Sequence, residues 1–186
     1  MKTKLLAYNA LIIAIIAVMA AVPWLGIITF PPLSATTIHV IVLIAALLLG
    51  GQSAIIASLA FGVSTMLVAM TRGVGADVFF MNPLVSVLPR FLFGLVLLFL
   101  VKLFNKPKSM DTLTDVLVIV VGTIAHTFFV LIALFFVLGL PGTFIQQLSE
   151  WWALVLGILL TNTLPEVVVA LLIAIPVVNV LRRRIH

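Results

Sequence analysis

Long, nearly uninterrupted apolar runs are the feature that most limits what this chain can fold into. Six of them follow one another, at residues 5–22, 37–50, 52–71, 84–104, 113–139 and 151–181. A helix needs about 20 apolar residues to cross a bilayer, whereas the strands of a barrel would show short alternating segments. We therefore predict an all-α, polytopic membrane protein, with six transmembrane helices in a single domain over residues 1–186.

Charged side chains are too few to cover the surface of a water-soluble domain of this length. The sequence is 65% hydrophobic and only 8% charged, with a net charge of +5. The basic residues stand at the ends of the apolar runs and form no patch of the kind that binds nucleic acid. The predicted surroundings are thus the lipid bilayer, and no nucleic-acid partner is expected.

Basic residues also predict the orientation in the membrane. An even number of helices puts both termini on one side, and most of the basic residues then share that side: Lys2, Lys4, Lys102, Lys106, Lys108, Arg182, Arg183 and Arg184. Because an excess of Lys and Arg marks the cytoplasmic side, both termini are predicted to be cytoplasmic. A basic start before an apolar run also fits a signal peptide. We interpret it as an uncleaved helix.

Small residues recur on one face of the first helix. They are Ala7, Ala10, Ala14, Ala17 and Ala21, spaced alternately by three and four residues. Such a face allows close backbone approach to another helix in lipid. Its partner is either a helix of this chain or a separate membrane subunit, and spacing alone favours the first.

A guanidinium stands inside the fourth apolar run. Arg90 follows Pro83 and Pro89 in the stretch that starts at Asn82. A charge at such depth is costly, so it should face a cavity or the protein interior and have a partner. The prolines free backbone carbonyls nearby, which is tolerable only beside protein or a wet cavity.

Polar side chains from other runs are predicted to converge with Arg90 in the outer half of the membrane. They are Asn82, His39, His126, Asn162 and Glu166. Together they suit a small-molecule pocket open to the outside, roofed by the apolar loop Pro23–Thr36. The partner of Arg90 is either a ligand carboxylate or Glu166 in a structural ion pair. The histidines and Asn162 also fit hydrogen bonding between helices.

The residues do not favour catalysis. The chain has no cysteine, no His-Glu-x-x-His and no Gly-x-Ser-x-Gly, and its histidines are too scattered for a metal hydrolase. No phosphate-binding loop ending in Gly-Lys-Ser/Thr is present, so the chain is not expected to hydrolyse ATP itself. We predict no catalytic residues, no metal and no cofactor in this chain.

The chain resembles the S component, the substrate-binding subunit, of energy-coupling factor (ECF) vitamin transporters. Six helices in under 200 residues, the Ala10-x-x-x-Ala14 face and the long apolar loop after it carry the general resemblance. The blocks Thr37–Gly50, Ala60–Gly62 and Asn82–Arg90 are similar to the pantothenate-type branch.

The resemblance implies a multi-pass protein of the bacterial plasma membrane that binds one vitamin tightly from outside. It would dock through Ala10, Ala14 and Ala17 on a membrane T subunit, which carries two cytoplasmic ATPases that use ATP. Pantothenate is the expected substrate, since Arg can pair with its carboxylate while Asn and His serve its hydroxyl and amide groups. A neutral ring vitamin or precursor, pyridoxine or hydroxymethylpyrimidine, is the alternative. A structural membrane subunit or oligomeric channel without a substrate is the alternative of another class.

Overall fold

Helices form most of the chain. The computed structural model describes residues 2–30, 33–73, 77–105, 111–138, 151–153, 156–157 and 159–185. In chain order the elements are α1 (Lys2–Ala21), α2 (Pro23–Gly26), β1 (Ile27–Phe30), β2 (Leu33–Thr36), α3 (Ile38–Leu49), α4 (Gly51–Arg72), α5 (Asp77–Phe80), α6 (Pro83–Ser86), α7 (Leu88–Leu103), α8 (Thr112–Leu138), a π-helical segment (Leu159–Thr163) and α9 (Leu164–Ile185). The predicted helical architecture is confirmed, with one short hairpin added to it.

Five stretches are long and apolar enough to cross a membrane. They are Thr3–Ala21, Gly51–Arg72, Pro83–Leu103, Thr112–Val137 and Thr161–Arg183. The second predicted span is shorter, because α3 has 12 residues. At about 1.5 Å per residue it is shorter than the ~30 Å hydrocarbon core. The described chain thus has five candidate spans and one shorter apolar helix rather than six full-length spans.

The short helix α3 is the centre of the bundle. It packs against α1, α4, α7, α8 and α9, and nine of its residues are buried. A helix that is apolar all round is expected to be enclosed on all sides. Gly50 ends it with a φ of 95°, a conformation that glycine adopts without strain, and the chain then turns directly into α4.

The first helix begins and the last helix ends at the same end of the bundle. Tyr8 of α1 and Leu181 of α9 line one groove there. At the opposite end, Arg72 donates from Nη2 to the carbonyl of Ala21 at 3.2 Å and joins the last turns of α4 and α1. We call the first of these the terminal end and the second, which carries β1 and β2, the hairpin end.

The predicted apolar loop Pro23–Thr36 contains a short helix and an antiparallel hairpin. Ile27 pairs with Thr36, and Phe30 with Leu33. The base of the hairpin is closed by Thr37, which donates its N–H to the Gly26 carbonyl at 3.0 Å and its hydroxyl to the Leu25 carbonyl at 2.5 Å. These bonds satisfy backbone groups that would otherwise be unpaired near the membrane surface.

Small residues bring α4 and α7 into close contact. Ser58 and Gly62 are buried on one face of α4. A Cβ added to Gly94 of α7 would lie 2.8 Å from Ser58 Oγ, and one added to Gly62 would lie 2.9 Å from Val87 Cα. Neither position has room for a side chain. The small-residue spacing in this helix therefore serves packing within the chain.

The last predicted run, 151–181, contains more than one type of helix. Residues 151–153 are α-helical, residues 159–163 form the π-helical segment, and α9 begins at Leu164. Pro165 is the second residue of α9. Residues 106–108 and 139–147, which separate apolar runs in the sequence, lie outside the described residues.

A buried ion pair joins α8 to α9 at the terminal end. Arg182 donates from Nη1 and Nη2 to the two carboxylate oxygens of Asp115, at 2.9 Å each. In the sequence, Arg182 is one of the basic residues at the ends of the apolar runs, and Asp115 stands near the start of the fifth run, where exposure is expected. Both are buried instead. The bidentate geometry compensates the cost of removing both charges from water.

Removing one partner of this pair is expected to destabilise the fold. Arg182→Met leaves a buried carboxylate without its guanidinium, which typically costs roughly 3–5 kcal/mol. The measurement is thermal unfolding in detergent. Arg183→Met is the matched control, because Arg183 is exposed on the next position of the same helix. Equal melting temperatures for the two variants would contradict a stabilising role for the pair.

Candidate functional site

Arg90 is positioned by a break in the fourth apolar run. Asn82 caps α6 by accepting from the N–H of Leu84 at 2.9 Å through Oδ1, and Pro83 stands in the first turn. α6 ends at Ser86, and α7 starts two residues later with Pro89 in its own first turn. Asn82, predicted as a binding residue, thus uses its side-chain oxygen as a helix cap.

Pro89 explains where the Arg90 side chain goes. In a continuous helix, the carbonyl of Val85 would accept from the N–H four residues later. That residue is Pro89, which has no N–H. Arg90 takes its place and donates from Nη1 to the Val85 carbonyl at 2.7 Å. The freed carbonyl and the guanidinium therefore satisfy each other inside the bundle.

Aromatic rings enclose the rest of the guanidinium. Arg90 Cζ lies 5.1 Å from the centre of the Phe61 ring and 5.2 Å from that of Phe80, and the residue is 4% exposed. Its Nε forms no hydrogen bond with any of the described residues. Among the described residues, no carboxylate lies within ion-pair distance of Arg90. The ion pair with Glu166, one of the two partners considered from the sequence, is therefore not formed.

Two buried histidines stack beside Arg90. The rings of His39 and His126 are 5.5 Å apart and nearly parallel, and the His126 ring also contacts Phe61 and Phe93. Both nitrogens of His39 and Nδ1 of His126 lack a well-formed hydrogen bond to any described residue. Phe61 touches both Arg90 and His126, so the three predicted polar residues Arg90, His39 and His126 form one cluster.

Glu166 lies at the edge of this cluster and is held by donors of the chain itself. Its Oε1 accepts from the N–H of Thr36 at 2.7 Å, and its Oε2 accepts from the hydroxyl of Thr127 at 3.4 Å. The residue is 6% exposed. Thr36 precedes His39 by three residues, and Thr127 follows His126 directly. Glu166 thus connects the Thr36 backbone, near His39, to the Thr127 side chain, next to His126.

Asn162 lies just before the helix that carries Glu166. It is half-buried in the π-helical segment, one turn before Glu166. Sequence reasoning did not include Phe61, Phe80, Phe93, Thr36 or Thr127 in the site. Aromatic and threonine residues are common throughout these helices, so only the fold distinguishes those that enclose Arg90 and bind Glu166.

The alanine face of α1 points away from the bundle. Ala7, Ala10, Ala14 and Ala17 are exposed, whereas Asn9, Ile16 and Ala20 are the buried residues of this helix. Only 11% of the apolar window of α1 is buried. In the described part of the chain, the stripe therefore packs against no other helix.

An apolar groove of about 420 Å³ lies at the other end of the molecule. It runs between α1, α3 and α9 and is lined by side chains such as Ile12, Ile44 and Val177. Its walls offer almost no polar partner, so they cannot orient a polar ligand. The cluster around Arg90 is the better candidate for binding.

The cluster offers donor groups of the kind that suit a small anion with further hydrogen-bonding groups. A guanidinium has five N–H donors in a planar fork, and only one of them is used by the Val85 carbonyl. Arg90 Nε, both His39 nitrogens and His126 Nδ1 are buried and make no well-formed hydrogen bond within the part of the chain that the structure describes. A buried polar atom without a partner costs free energy. A molecule with a carboxylate and further polar groups would satisfy them.

Comparison with known proteins identifies the family. No significant match was found among curated proteins. The family model described as the substrate-specific component of the ECF transporter matches residues 4–178, which is nearly the whole chain. The match agrees with the apolar helices and with the resemblance noted from the sequence. This chain belongs to the family of substrate-specific components of ECF transporters.

Proposed function

We propose that this protein binds pantothenate from outside the cell and delivers it to the cytoplasm. Family membership makes it a substrate-binding component of a membrane transporter, a role that is generally non-catalytic. The observation that carries the choice of substrate is the buried Arg90 guanidinium, whose Nε is unpartnered and which has no carboxylate among the described residues.

A carboxylate substrate fits this guanidinium. It would complete the ion pair that Arg90 lacks and would accept through both oxygens in the geometry that guanidinium favours. His39 and His126 lie beside it, with ring nitrogens that make no well-formed hydrogen bond to a described residue. Such nitrogens suit the hydroxyl and amide groups of pantothenate. The aromatic rings around Arg90 keep water away and so strengthen the pair.

The site is reached from outside in the proposed orientation. The exposed basic residues Lys4, Lys102 and Arg183 lie toward the terminal end, and basic excess marks the cytoplasmic side of a cell membrane. With the termini in the cytoplasm, the hairpin end and the Arg90 cluster face the exterior.

The exposed alanine face of α1 supports docking on a membrane T subunit. Ala10, Ala14 and Ala17 leave a smooth surface on which another helix can approach closely in lipid. Two ATPases bound to that T subunit would hydrolyse ATP. On this proposal the present chain holds no cofactor of its own.

A neutral ring compound such as pyridoxine is the second candidate. The rings of Phe61, Phe93, His39 and His126 gather in one place, and stacked rings suit an aromatic ligand. Such a ligand would leave the guanidinium charge uncompensated, so we rank it below pantothenate.

Replacing Arg90 should remove binding of the carboxylate. Arg90→Met keeps an apolar stem of similar length and should weaken pantothenate binding about 100-fold, since a hydrogen bond to a charged group contributes roughly 1.5–3 kcal/mol and tenfold in affinity is about 1.4 kcal/mol. Calorimetry on the purified protein measures it. The alcohol analogue pantothenol, which lacks the carboxylate, should bind the wild type and the variant about equally.

The control is Arg72→Met, which removes the other arginine of the hairpin end. Arg72 binds the carbonyls at the end of α1 and lies outside the cluster, so pantothenate binding should be retained. Binding of pyridoxine but not pantothenate by the wild type, with the pyridoxine affinity retained in Arg90→Met, would favour the ring compound. No binding of either by the wild type would contradict both.

Bulky residues on the alanine face should separate docking from binding. The double change Ala10→Leu and Ala14→Leu should abolish co-purification with the T subunit and reduce uptake to background, because the close helix approach is lost. Pantothenate affinity should be unchanged. Ile13→Phe is the control, since it adds bulk at an exposed α1 position outside the stripe. Equal defects in both variants would argue against docking through the alanines.

A further inference from the structure

We propose that Glu166 is a positioning residue, which fixes the base of the hairpin and the two histidines, and that the substrate does not contact its carboxylate. This inference rests on the proposed function, because it assigns a role within the same site. It differs from the sequence-based expectation, in which Glu166 was itself a substrate-binding residue.

Both oxygens of Glu166 are already engaged. One accepts from the Thr36 N–H at 2.7 Å, a distance typical of a charge-assisted bond. The other accepts from the Thr127 hydroxyl at 3.4 Å. The side chain belongs to the first turn of α9 and reaches residues of β2 and α8, far apart in sequence. A carboxylate bound in this way is a crosslink between three elements.

The Thr36 bond controls where the hairpin meets the bundle. Thr36 is the last residue of β2 and pairs with Ile27, the first residue of β1. The next residue, Thr37, ties the base of the hairpin back to α2 through the carbonyls of Gly26 and Leu25. Of these hydrogen bonds, only the one from the Thr36 N–H to Glu166 connects the base of the hairpin to α9. Loss of Glu166 would therefore release the hairpin from that helix while leaving its own pairing intact.

The same crosslink sets the spacing of the histidines. Thr36 is followed by the first turn of α3, which carries His39, and Thr127 adjoins His126 on α8. The rings of His39 and His126 stack at 5.5 Å, and each histidine follows or adjoins a residue that Glu166 binds. Glu166 thus acts on the site through its neighbours, without a direct bond to Arg90.

Two substitutions distinguish a crosslink from a ligand contact. Glu166→Gln keeps an oxygen for the Thr36 N–H, and its amide can donate to the Thr127 hydroxyl, so both bonds survive without the charge. Glu166→Leu removes both hydrogen bonds, and the leucine side chain is of similar size to that of glutamate. A positioning role predicts that Gln rescues the site and Leu does not.

The first measurement is hydrogen exchange of residues 27–37 without substrate. We expect exchange to rise about tenfold or more in Glu166→Leu, as for loss of a hydrogen bond to a charged group. Glu166→Gln should exchange like the wild type. Unchanged exchange in Glu166→Leu would overturn the crosslink. Because no substrate is present, this result stands whether or not pantothenate is the ligand.

The second measurement is the rate of pantothenate dissociation. Glu166→Leu should release it about tenfold faster or more, and Glu166→Gln should stay near the wild type. If Gln and Leu lose affinity equally while the hairpin exchanges normally, the carboxylate contacts the ligand and the proposal fails. If Glu166→Leu does not fold, Thr36→Pro replaces it: this change removes the N–H donor but keeps the carboxylate, and it should reproduce both effects.

Discussion

In an apolar bundle, a backbone carbonyl without a donor is as serious a defect as a buried charge without a partner. The hairpin end of this protein contains both groups, five residues apart in the sequence. Pro89 withholds the N–H that the Val85 carbonyl needs, and the Arg90 guanidinium provides one at 2.7 Å. The interaction decides the direction of the Arg90 side chain. That direction places Arg90 against Phe61, which also touches His126, and so the rest of the site depends on it.

The size of the side chains at the helix contacts decides how closely the helices around this site approach one another. α3 is short, apolar on all sides and enclosed by five helices. Gly62 and Gly94 let α4 and α7 approach until no added Cβ would fit. The alanines of α1, spaced like the small residues of α4, remain exposed. Small residues at helical spacing therefore allow close packing within the chain in α4, whereas in α1 they form an exposed surface.

Much of the fold was predictable because hydrophobicity dominates this chain. Four of the six apolar runs predicted their helices to within a few residues, whereas the fourth run is divided into α6 and α7 and α9 begins only at Leu164. The polar residues His39, Arg90 and His126 were expected to meet. The hairpin was missed because the apolar residues of Pro23–Thr36 suit a loop equally well. The pair of Asp115 and Arg182 was missed because charged residues near helix ends are usually exposed. Contacts such as that of Glu166 with Thr36 join residues 130 positions apart, which no local pattern records.

The two buried arginines of the described chain are compensated differently. Arg182 is neutralised by Asp115 within the fold, whereas no carboxylate of the described residues neutralises Arg90. On the proposed function, the empty protein therefore holds a guanidinium without an ion-pair partner among the described residues, and the loaded protein holds a neutralised pair. A charge without a partner in apolar surroundings is costly. Binding an anion would remove that cost, so that electrostatics alone would make the loaded protein more stable than the empty one.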